Sequence, residues 1–413
     1  MSAETDPFIE MGPMRRTASH RPVWAEIDLS AIGQNVRSLC RLVAPSKLCA
    51  VVKADAYGHG AVPVARAVLD AGGTWLAVAM VEEGASLRDA GIDSPILLLS
   101  EPPEDAMRDA LELRLTPTLY TPEGIEAAAN AARLWLSTQR LAGGVSVHVK
   151  VDTGMHRVGA DLEDAASILG RVLSEPALAL QGTWTHLAVA DGVSDEERAY
   201  TEQQLERFED VLSRMRAAGV SPGIVHAANS AGAIAHPGSR FDMVRCGIAL
   251  YGEPPALEMA EIVDSVLGVH GLRPVMTLKA RVSMVRELEA GERPSYGRRV
   301  ALRERSVVAT VPIGYADGVP RRYFTEGGTV LVGGTRHPLA GTVTMDQIVV
   351  DCGPGSKVAV GDEVIMIGRQ GLEQVTAGDW AKVLGTISYE VLCGIGPRVP
   401  RIPRISGSVE ERE

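Results

Sequence analysis

Three features are scarce or missing in this sequence of 413 residues, and each absence excludes a class of protein. No apolar run approaches the roughly 20 residues that a membrane-spanning helix needs, so we expect no membrane partner. Basic residues are not in excess, because 41 Lys and Arg stand against 52 Asp and Glu and give a net charge of −11. A chain this acidic has no general attraction for nucleic acid, which we also exclude as a partner.

Cysteine is the third scarce feature. The five cysteines, at positions 40, 49, 246, 352 and 393, are odd in number and form no C-x-x-C pair. This pattern argues against a disulfide framework and a zinc site, so we expect no metal, and it fits a reducing cytoplasm. The N-terminal stretch also lacks the apolar core of a secretory signal. We interpret residues 1–21 as a flexible tail and predict a cytoplasmic protein.

Short β-branched runs alternate with helical patterns from residue 30 to about residue 250. The predicted strands are Leu48–Lys53, Trp75–Val78, Ile96–Leu99, Thr116–Leu119, Val145–Val151, Leu180–His186, Ile224–Ala227 and Met243–Ile248. Eight strands separated by helices in about 220 residues match the length of a (β/α)8 TIM barrel. A doubly wound open sheet is the rival fold, but no G-x-G-x-x-G follows the first strand.

The pattern changes after residue 270, where strand-like runs broken by Gly, Pro and Asp replace the long helices. These runs are Met276–Arg286, Arg298–Val311, Thr329–Val332, Gln347–Val350 and Val364–Ile367. We predict a barrel over residues 22–268 followed by a mostly-β C-terminal domain over 269–413. The strand-like segment Val23–Ile27 precedes the barrel and is a candidate to pair with the β domain.

Two helix starts carry recognisable capping residues. Asp28 precedes a helix whose apolar stripe includes Ile32 and Val36, so we predict that Asp28 is its N-cap. Near the C-terminus, Thr376 is followed three residues later by Asp379, which predicts the cap of a short helix.

Polar side chains gather at the ends of the predicted barrel strands, where the active sites of this fold lie. Each of them alone has an ordinary structural explanation, since a lysine at a strand end is usually solvated and a serine there usually caps a helix. Their joint position on one rim favours a functional site. The residues in question are Lys53, Lys150, Asp152, Arg157, His186, Asn229, Ser230 and Arg245.

A phosphate is the ligand that the last two strand ends predict. In this fold the loops after strands seven and eight commonly hold one. Ser230 supplies a hydroxyl there, and the amides of Gly247 and Ile248 can donate hydrogen bonds. Glycine at position 247 lets the backbone approach a ligand closely. No nucleotide-type lysine loop is present, so a small phosphorylated cofactor is favoured over ATP.

Lys53 ends an apolar strand, which partly desolvates its amine, lowers its pKa and makes it a usable nucleophile. An amine beside a phosphate pocket is what pyridoxal 5′-phosphate needs, because this cofactor forms a Schiff base with lysine and acts as an electron sink. A barrel of the class I aldolase type, with a substrate Schiff base, would show the same pattern. The spacing of the residues does not separate these two chemistries.

Seven motifs follow one another along the chain: "AVVKADAYGHG", "VDTGMHRVG", "THLAVAD", "HAANSAG", "MVRCGIALYG", "PIGYADGVPR" and "GTVTMDQ". Their order resembles that of alanine racemases, the pyridoxal-phosphate enzymes of fold type III, and the resemblance covers about residues 22–404. It implies an isomerase that interconverts L-alanine and D-alanine through an external aldimine with two bases. It also implies a role in the biosynthesis of D-alanine, a peptidoglycan precursor.

The resemblance also implies the residue roles. Lys53 carries the cofactor and is one base, and Tyr315 is the second base, supplied by the other subunit of a homodimer with shared active sites. Arg245 faces the pyridine nitrogen, and His186 links it to Tyr315. Cofactor contacts fall to Tyr57, Arg157, Asn229, Ser230, Gly247, Ile248 and Tyr389. The substrate, a small amino acid, meets Arg157, Met345 and Asp346. Lys150 matches a lysine that is carbamylated in some members and then holds Arg157; an unmodified lysine paired with Asp152 is the alternative.

Two departures from the family pattern bear on specificity. Thr342 stands where many relatives have an arginine at the substrate entrance, and His156 replaces the more frequent glycine before Arg157. A serine or broad-specificity racemase on the same scaffold is therefore the alternative function. A non-catalytic pyridoxal-phosphate carrier would lack the β domain and Tyr315, and no feature favours a decarboxylase of this fold type.

Overall fold

The computed structural model describes residues 20–139, 143–268 and 271–405. The predicted N-terminal tail lies outside the described residues except for its last two positions. Within the described ranges, no helix is both long and apolar enough to cross a membrane.

The described residues form helices and strands along the whole chain. The helices are α1 (Leu29–Val43), α2 (Lys53–Gly58), α3 (Ala61–Asp70), α4 (Val81–Asp89), α5 (Glu104–Glu112), α6 (Pro122–Gln139), α7 (Ala165–Ser174), α8 (Asp195–Ala217), α9 (Ser230–Ala235), α10 (Ala260–Leu267), α11 (Ala377–Leu384) and α12 (Ser388–Cys393). The strands are β1 (Val23–Asp28), β2 (Lys47–Val51), β3 (Trp75–Val78), β4 (Ile96–Leu98), β5 (Thr118–Leu119), β6 (Val145–Lys150), β7 (Leu178–Trp184), β8 (Ile224–His226), β9 (Met243–Cys246), β10 (Met276–Arg281), β11 (Met284–Leu288), β12 (Ser306–Val311), β13 (Thr329–Val332), β14 (Thr335–Pro338), β15 (Ile348–Asp351), β16 (Glu363–Gln370), β17 (Glu373–Val375) and β18 (Arg401–Arg404).

Strands β2 to β9 form the barrel, which confirms the predicted fold class. All pairings among them are parallel, in the sheets β4-β3-β2-β9 and β5-β6-β7-β8. A parallel bridge between Leu97 and Thr116 joins β4 to β5. The amide of Arg245 donates to the carbonyl of Ala228 at 2.9 Å and joins β8 to β9, which closes the ring. Helices cover the strands outside, and the strands are largely buried.

The second domain is built from β-sheets, and β1 belongs to it although it precedes the barrel. β1 lies antiparallel to β10 and parallel to β18, within the sheet β14-β13-β16-β10-β1-β18. A second sheet has the order β11-β12-β15. The chain therefore enters through the β domain, forms the barrel and returns to the β domain, which ties the two domains together.

Several predicted elements match closely, whereas two runs predicted in the β domain do not. β3 and β13 have the predicted bounds, and both predicted caps are present: Asp28 accepts from the amide of Ala31 at 3.0 Å, and Thr376 accepts from that of Asp379 at 2.8 Å. The single strand predicted over Arg298–Val311 is wrong, since only Ser306–Val311 is a strand. The run Met276–Arg286 divides into β10 and β11, because residues 282–283 leave the first sheet for the second.

The segment after β2 folds in a way that the sequence did not predict. The strand ends at Val51, and Lys53 begins the short helix α2. Four successive residues, 54–57, have φ between 52° and 55°, so this turn is left-handed. Left-handed turns are costly for residues with a Cβ and persist only where the surroundings hold them. Here the amide of Ala54 donates to Glu83 Oε1 at 2.6 Å, and that of Ala61 donates to Asp55 Oδ1 at 2.7 Å.

Candidate active site

A cavity of about 540 Å³ opens at the carboxyl ends of the barrel strands. It brings together eleven of the residues that the sequence singled out, although they are spread over more than 300 positions of the chain. These residues are Lys53, Tyr57, Lys150, Arg157, His186, Asn229, Ser230, Arg245, Gly247, Ile248 and Tyr389.

The lining of this cavity is strongly cationic. Lys53, Lys150, Arg157 and Arg245 line it, and none of the described residues that line it is Asp or Glu. The indole of Trp184 partly compensates two of these charges, since its ring lies 4.4 Å from Arg245 Cζ and 4.7 Å from Lys150 Nζ. Four cations without a carboxylate among them make a site for anionic ligands.

Lys53 stands at the mouth of the cavity, two residues after the end of β2. Burial lowers the pKa of its amine, and the positive charge of Arg157 lowers it further. This direction makes the nucleophilic form of the amine more accessible than in an exposed lysine.

Arg245 is a buried cation in the barrel interior with four hydrogen-bond acceptors around it. Its side chain donates to His226 Nδ1 at 2.8 Å, His186 Nδ1 at 3.1 Å, and the carbonyls of Thr185 and Ala227 at 2.9 Å each. Burial lowers the pKa of Arg245 to about 10, which leaves the guanidinium charged at neutral pH. The four acceptors hold it in one orientation at the base of the cavity.

The contact with Arg245 decides the tautomer of His186. A guanidinium only donates hydrogen bonds, so His186 Nδ1 accepts and the ring proton resides on Nε2. Burial, together with the charge of Arg245, holds the pKa of His186 well below its usual value, so the ring is neutral. His186 therefore offers one N–H donor to a group in the cavity.

Lys150 ends β6 and is almost fully buried among cations. Burial lowers the pKa of its amine to about 7, and Arg245 and Arg157 contribute to the same direction. Among the described residues, no ion pair within 4.0 Å joins Lys150 to Asp152. Asp152 instead accepts hydrogen bonds from the amides of Gly154, Met155 and His156. The alternative of a Lys150–Asp152 pair thus has no contact in its favour.

Hydroxyl groups and a close backbone approach mark the opposite corner of the cavity. Ser230 Oγ accepts from the amide of Gly247 at 2.9 Å. A Cβ at position 247 would lie 2.4 Å from Tyr57 Oη, so only glycine fits beside that phenol. The ring of Tyr57 lies 6.0 Å from that of Tyr389, and burial raises the pKa of both phenols. These neutral hydroxyls can donate hydrogen bonds to a phosphate.

Three predicted site residues do not line this cavity. Tyr315, Met345 and Asp346 lie on the β domain, where they line a separate hollow of about 750 Å³. Tyr315 is 41% exposed and Met345 52% exposed. A hydrogen bond joins the two turns that carry these residues, since the amide of Tyr315 donates to the carbonyl of Thr344 at 2.9 Å. Within one chain, Tyr315, Met345 and Asp346 thus lie together but line a different cavity from Lys53.

The two departures noted in the sequence have structural counterparts. Thr342 is buried, and its hydroxyl donates to the carbonyl of Tyr296, whose side chain lines the Tyr315 hollow. Where many relatives have an arginine, this chain thus has a short side chain that forms a hydrogen bond with a neighbouring loop. His156 adopts φ 54°, a conformation that favours glycine, and its Nδ1 lies 3.7 Å from Asp152 Oδ2.

Sequence reasoning missed three residues of the buried network beneath the cavity. His226 accepts from Arg245, so its own proton is on Nε2, which donates to His148 Nδ1 at 2.9 Å. Trp184 stacks on His226 with ring centroids 5.4 Å apart. A polar residue inside a short apolar strand, as in Ile224–His226, was the available signal. Within the described ranges, no group of His, Cys, Asp and Glu could hold a metal ion.

Comparison with known proteins assigns both domains to one family. The family model for the alanine racemase N-terminal domain matches residues 27–255, and that for the alanine racemase C-terminal domain matches residues 275–403. The chain is similar to the alanine racemase of Symbiobacterium thermophilum, with 46% identity over 92% of this chain and 97% of the relative. It is similar to that of Desulfovibrio desulfuricans at 42% identity, over 92% and 98%.

Solved structures agree with these similarities. The structure of alanine racemase from Bacillus anthracis with bound L-Ala-P matches with a TM-score of 0.86 and 36% identity, over 96% of this chain and 98% of that one. Alanine racemase from Streptomyces coelicolor matches with a TM-score of 0.84 and 38% identity, over 92% and 98%.

Proposed function

This chain belongs to the alanine racemase family and interconverts L-alanine and D-alanine, and we propose that it does so with pyridoxal 5′-phosphate and two bases, Lys53 and Tyr315. The observation that carries the proposal is the joint lining of one cationic cavity by a lysine of lowered pKa, a buried arginine and a hydroxyl corner.

The residues of the cavity fit the cofactor. Lys53 would supply the amine that binds the aldehyde, and the hydroxyls of Tyr57, Ser230 and Tyr389 would supply donors for the phosphate, with Asn229 and Ile248 beside them. Gly247 lets the Tyr57 hydroxyl approach the backbone, since a Cβ there would lie 2.4 Å from Tyr57 Oη. When bound, the cofactor supplies an electron sink for the carbanion that forms at the substrate Cα. Arg245 would meet its ring, and as a guanidinium it keeps its proton rather than giving it up.

Racemisation requires a proton to leave one face of Cα and another to return on the opposite face. One side chain cannot reach both faces, so two groups on opposite sides are needed. The lowered pKa of Lys53 suits it to accept a proton on its own side. The substrate carboxylate would be held by Arg157, with Met345 and Asp346 on the far side.

Tyr315 is our choice for the second base, with His186 as its hydrogen-bond partner. A free phenol has a pKa of about 10, too high for a base at neutral pH. The Nε2–H of His186, fixed as a donor by Arg245, would stabilise the phenolate oxygen through a hydrogen bond. Arg245 and His186 would thus prepare the phenol of Tyr315 without themselves carrying the transferred proton.

A homodimer with shared sites would bring Tyr315 to Lys53. In one chain the two side chains line different cavities, and Tyr315 and Met345 remain substantially exposed. A two-fold dimer places the same surface of each subunit against the other, so one association completes both sites.

All five cysteines are free, which supports a reducing cytoplasm as the location, where D-alanine would serve as a peptidoglycan precursor.

Mixing two inactive variants tests the shared site directly. Lys53→Ala and Tyr315→Phe chains, refolded together, should regain activity, since a mixed dimer contains one site with both native bases. Random pairing makes about half of the dimers mixed, each with one of two sites intact, so recovery should approach about a quarter of the wild-type rate. Initial rates of D-alanine formation measure it, and each variant refolded alone is the control. Absence of recovery at any mixing ratio would contradict the shared site.

Gly247→Ala is expected to weaken cofactor binding by about 10-fold to 100-fold, because the new Cβ would displace the Tyr57 phenol. Titration of the apoenzyme with pyridoxal 5′-phosphate, followed by visible absorbance, measures the affinity. The matched control is Gly170→Ala, where nothing lies within 4 Å of the added Cβ. Unchanged affinity in Gly247→Ala would remove Gly247 from the cofactor site.

Lys150 is expected to carry a carbamate. An amine with a pKa of about 7 is largely uncharged above neutral pH, so Nζ can attack carbon dioxide, release a proton and become an anion beside Arg157 and Arg245. Enzyme equilibrated with ¹³C-bicarbonate should show a carbamate resonance that grows as the pH rises through 7. The resonance should vanish in Lys150→Met and persist in Lys279→Met, a lysine paired with Glu26 and Glu363. Its persistence in Lys150→Met would place the modification elsewhere.

A further inference from the structure

A buried carboxylate lies directly beneath the turn that carries Tyr315. Asp317 is two residues further along that turn and is fully buried. Its Oδ2 accepts from the amide of Gly314 at 2.9 Å, which closes the turn around Tyr315. The conformation of residues 314–317, and with it the direction of the phenol, therefore depends on where the Asp317 carboxylate is held.

Arg21 holds that carboxylate with two hydrogen bonds. Arg21 Nη1 donates to Asp317 Oδ2 at 3.0 Å, and Nη2 donates to Oδ1 at 2.5 Å, a bidentate arrangement that fixes direction as well as distance. Arg21 precedes β1, and the family models match only residues 27–255 and 275–403. The contact thus reaches the Tyr315 turn from a residue that lies outside the ranges matched by the two family models.

Arg398 ties the neighbouring turn to the same carboxylate. Its Nε lies 3.4 Å from Asp317 Oδ1, and its Nη2 donates to Asp346 Oδ1 at 2.6 Å. The amide of Ala316 donates to the carbonyl of Met345 at 3.1 Å. One buried charge therefore couples the Tyr315 turn to the Met345–Asp346 turn.

Removal of Arg21 is expected to disturb the Tyr315 turn more than removal of a surface ion pair would. Removing one partner of a buried charge pair leaves the other charge uncompensated, and the structure around it must rearrange or admit water. Arg398 is farther from Asp317 and already bound to Asp346, so it does not replace the bidentate contact. The Asp317 carboxylate, and the turn that it closes, would shift without Arg21.

We propose that Arg21 is a positioning residue for the second base, acting through Asp317 on the phenol of Tyr315. The inference rests on the proposed function of Tyr315. It adds that Arg21, in the segment before β1, determines the rate of the proton transfer at Tyr315 and does not affect the proton transfer at Lys53.

The test compares exchange of the α-hydrogen with ²H₂O for each alanine enantiomer, using holoenzyme and following initial rates by ¹H NMR. Tyr315→Phe first defines which enantiomer depends on the phenol. Arg21→Ala should then slow exchange of that same enantiomer by between about 10-fold and 100-fold, the effect of a displacement near 1 Å, and leave the other within about 2-fold. Arg21→Lys, which keeps the charge without the bidentate geometry, should show a smaller loss with the same asymmetry.

The asymmetry separates positioning from stability, because a loss of folded enzyme lowers both exchange rates equally. Arg305→Ala is the matched control, an exposed arginine of the β domain paired with Glu287, and it should change neither rate. Equal losses for both enantiomers in Arg21→Ala, or no loss, would overturn the inference while the asymmetry of Tyr315→Phe upheld the two-base proposal. Symmetric exchange in Tyr315→Phe itself would overturn both.

Discussion

Replacement of Lys53 by alanine is expected to lower the rate of racemisation by at least about 10³-fold, because it removes both the amine that binds the cofactor and one of the two bases. The side chain follows β2 into the cationic cavity, and burial lowers its pKa. Purified Lys53→Ala should also lack the visible absorbance of lysine-bound pyridoxal 5′-phosphate. Initial rates in both directions and an absorbance spectrum measure these effects.

Two comparisons make this result specific to Lys53. Lys47→Ala removes an exposed lysine at the start of the same strand and should preserve both rate and spectrum. Lys150→Met removes the other lysine of the cavity and should retain the visible band. Retention of the visible band in Lys53→Ala, together with its loss in Lys150→Met, would show that Lys150 and not Lys53 binds the cofactor.

Tyr315→Phe is expected to lower racemisation by about 10²-fold to 10⁴-fold, the range that general acid–base catalysis contributes. Only the hydroxyl is removed, and Lys53, the amine that binds the cofactor, is retained, so the visible absorbance of the bound cofactor should remain. Exchange of the α-hydrogen should fall for one enantiomer and persist for the other, since Lys53 still serves its own face. Initial rates, a spectrum and exchange in ²H₂O together measure the variant.

The control for Tyr315→Phe is a phenol of the same domain with a structural role. Tyr323 is buried and its hydroxyl donates to the carbonyl of Thr329 at 2.8 Å. Tyr323→Phe should cost about 1 kcal/mol of stability and leave the exchange rates of both enantiomers unchanged. Near-normal racemisation in Tyr315→Phe would exclude the phenol as a base and direct the search to other groups of the hollow that it lines.

The periodicity of the sequence predicted the barrel because local patterns determine where strands and helices lie. Trp75–Val78 is four buried apolar residues between turn signals, and its observed bounds are the predicted ones. Asp28 and Thr376 cap helices by bonds to amides only three residues away, so their chemistry is legible in the sequence. Prediction failed over Arg298–Val311, where β-branched content did not reveal that the chain turns before it pairs.

The candidate site was predictable to the extent that it follows strand ends. Residues such as Lys53 and Arg245 could be selected because a parallel barrel brings the carboxyl ends of its strands to one rim. His226 escaped notice because its role depends on the orientation of Arg245, a contact across two strands. The left-handed turn at residues 54–57 also escaped, since its Ala and Tyr residues carry no local preference for positive φ.

By itself the sequence determined the fold class, a barrel with a mostly-β domain, and the family, because these depend on local hydrophobic patterns and on motifs in a set order. Only the tertiary structure decided which charges meet. It placed Arg21 against Asp317 across 296 positions and left Lys53 and Tyr315 of one chain in separate cavities. Such contacts arise from how the domains pack. The spacing of residues along a chain does not give the spatial distance between segments that are far apart in sequence.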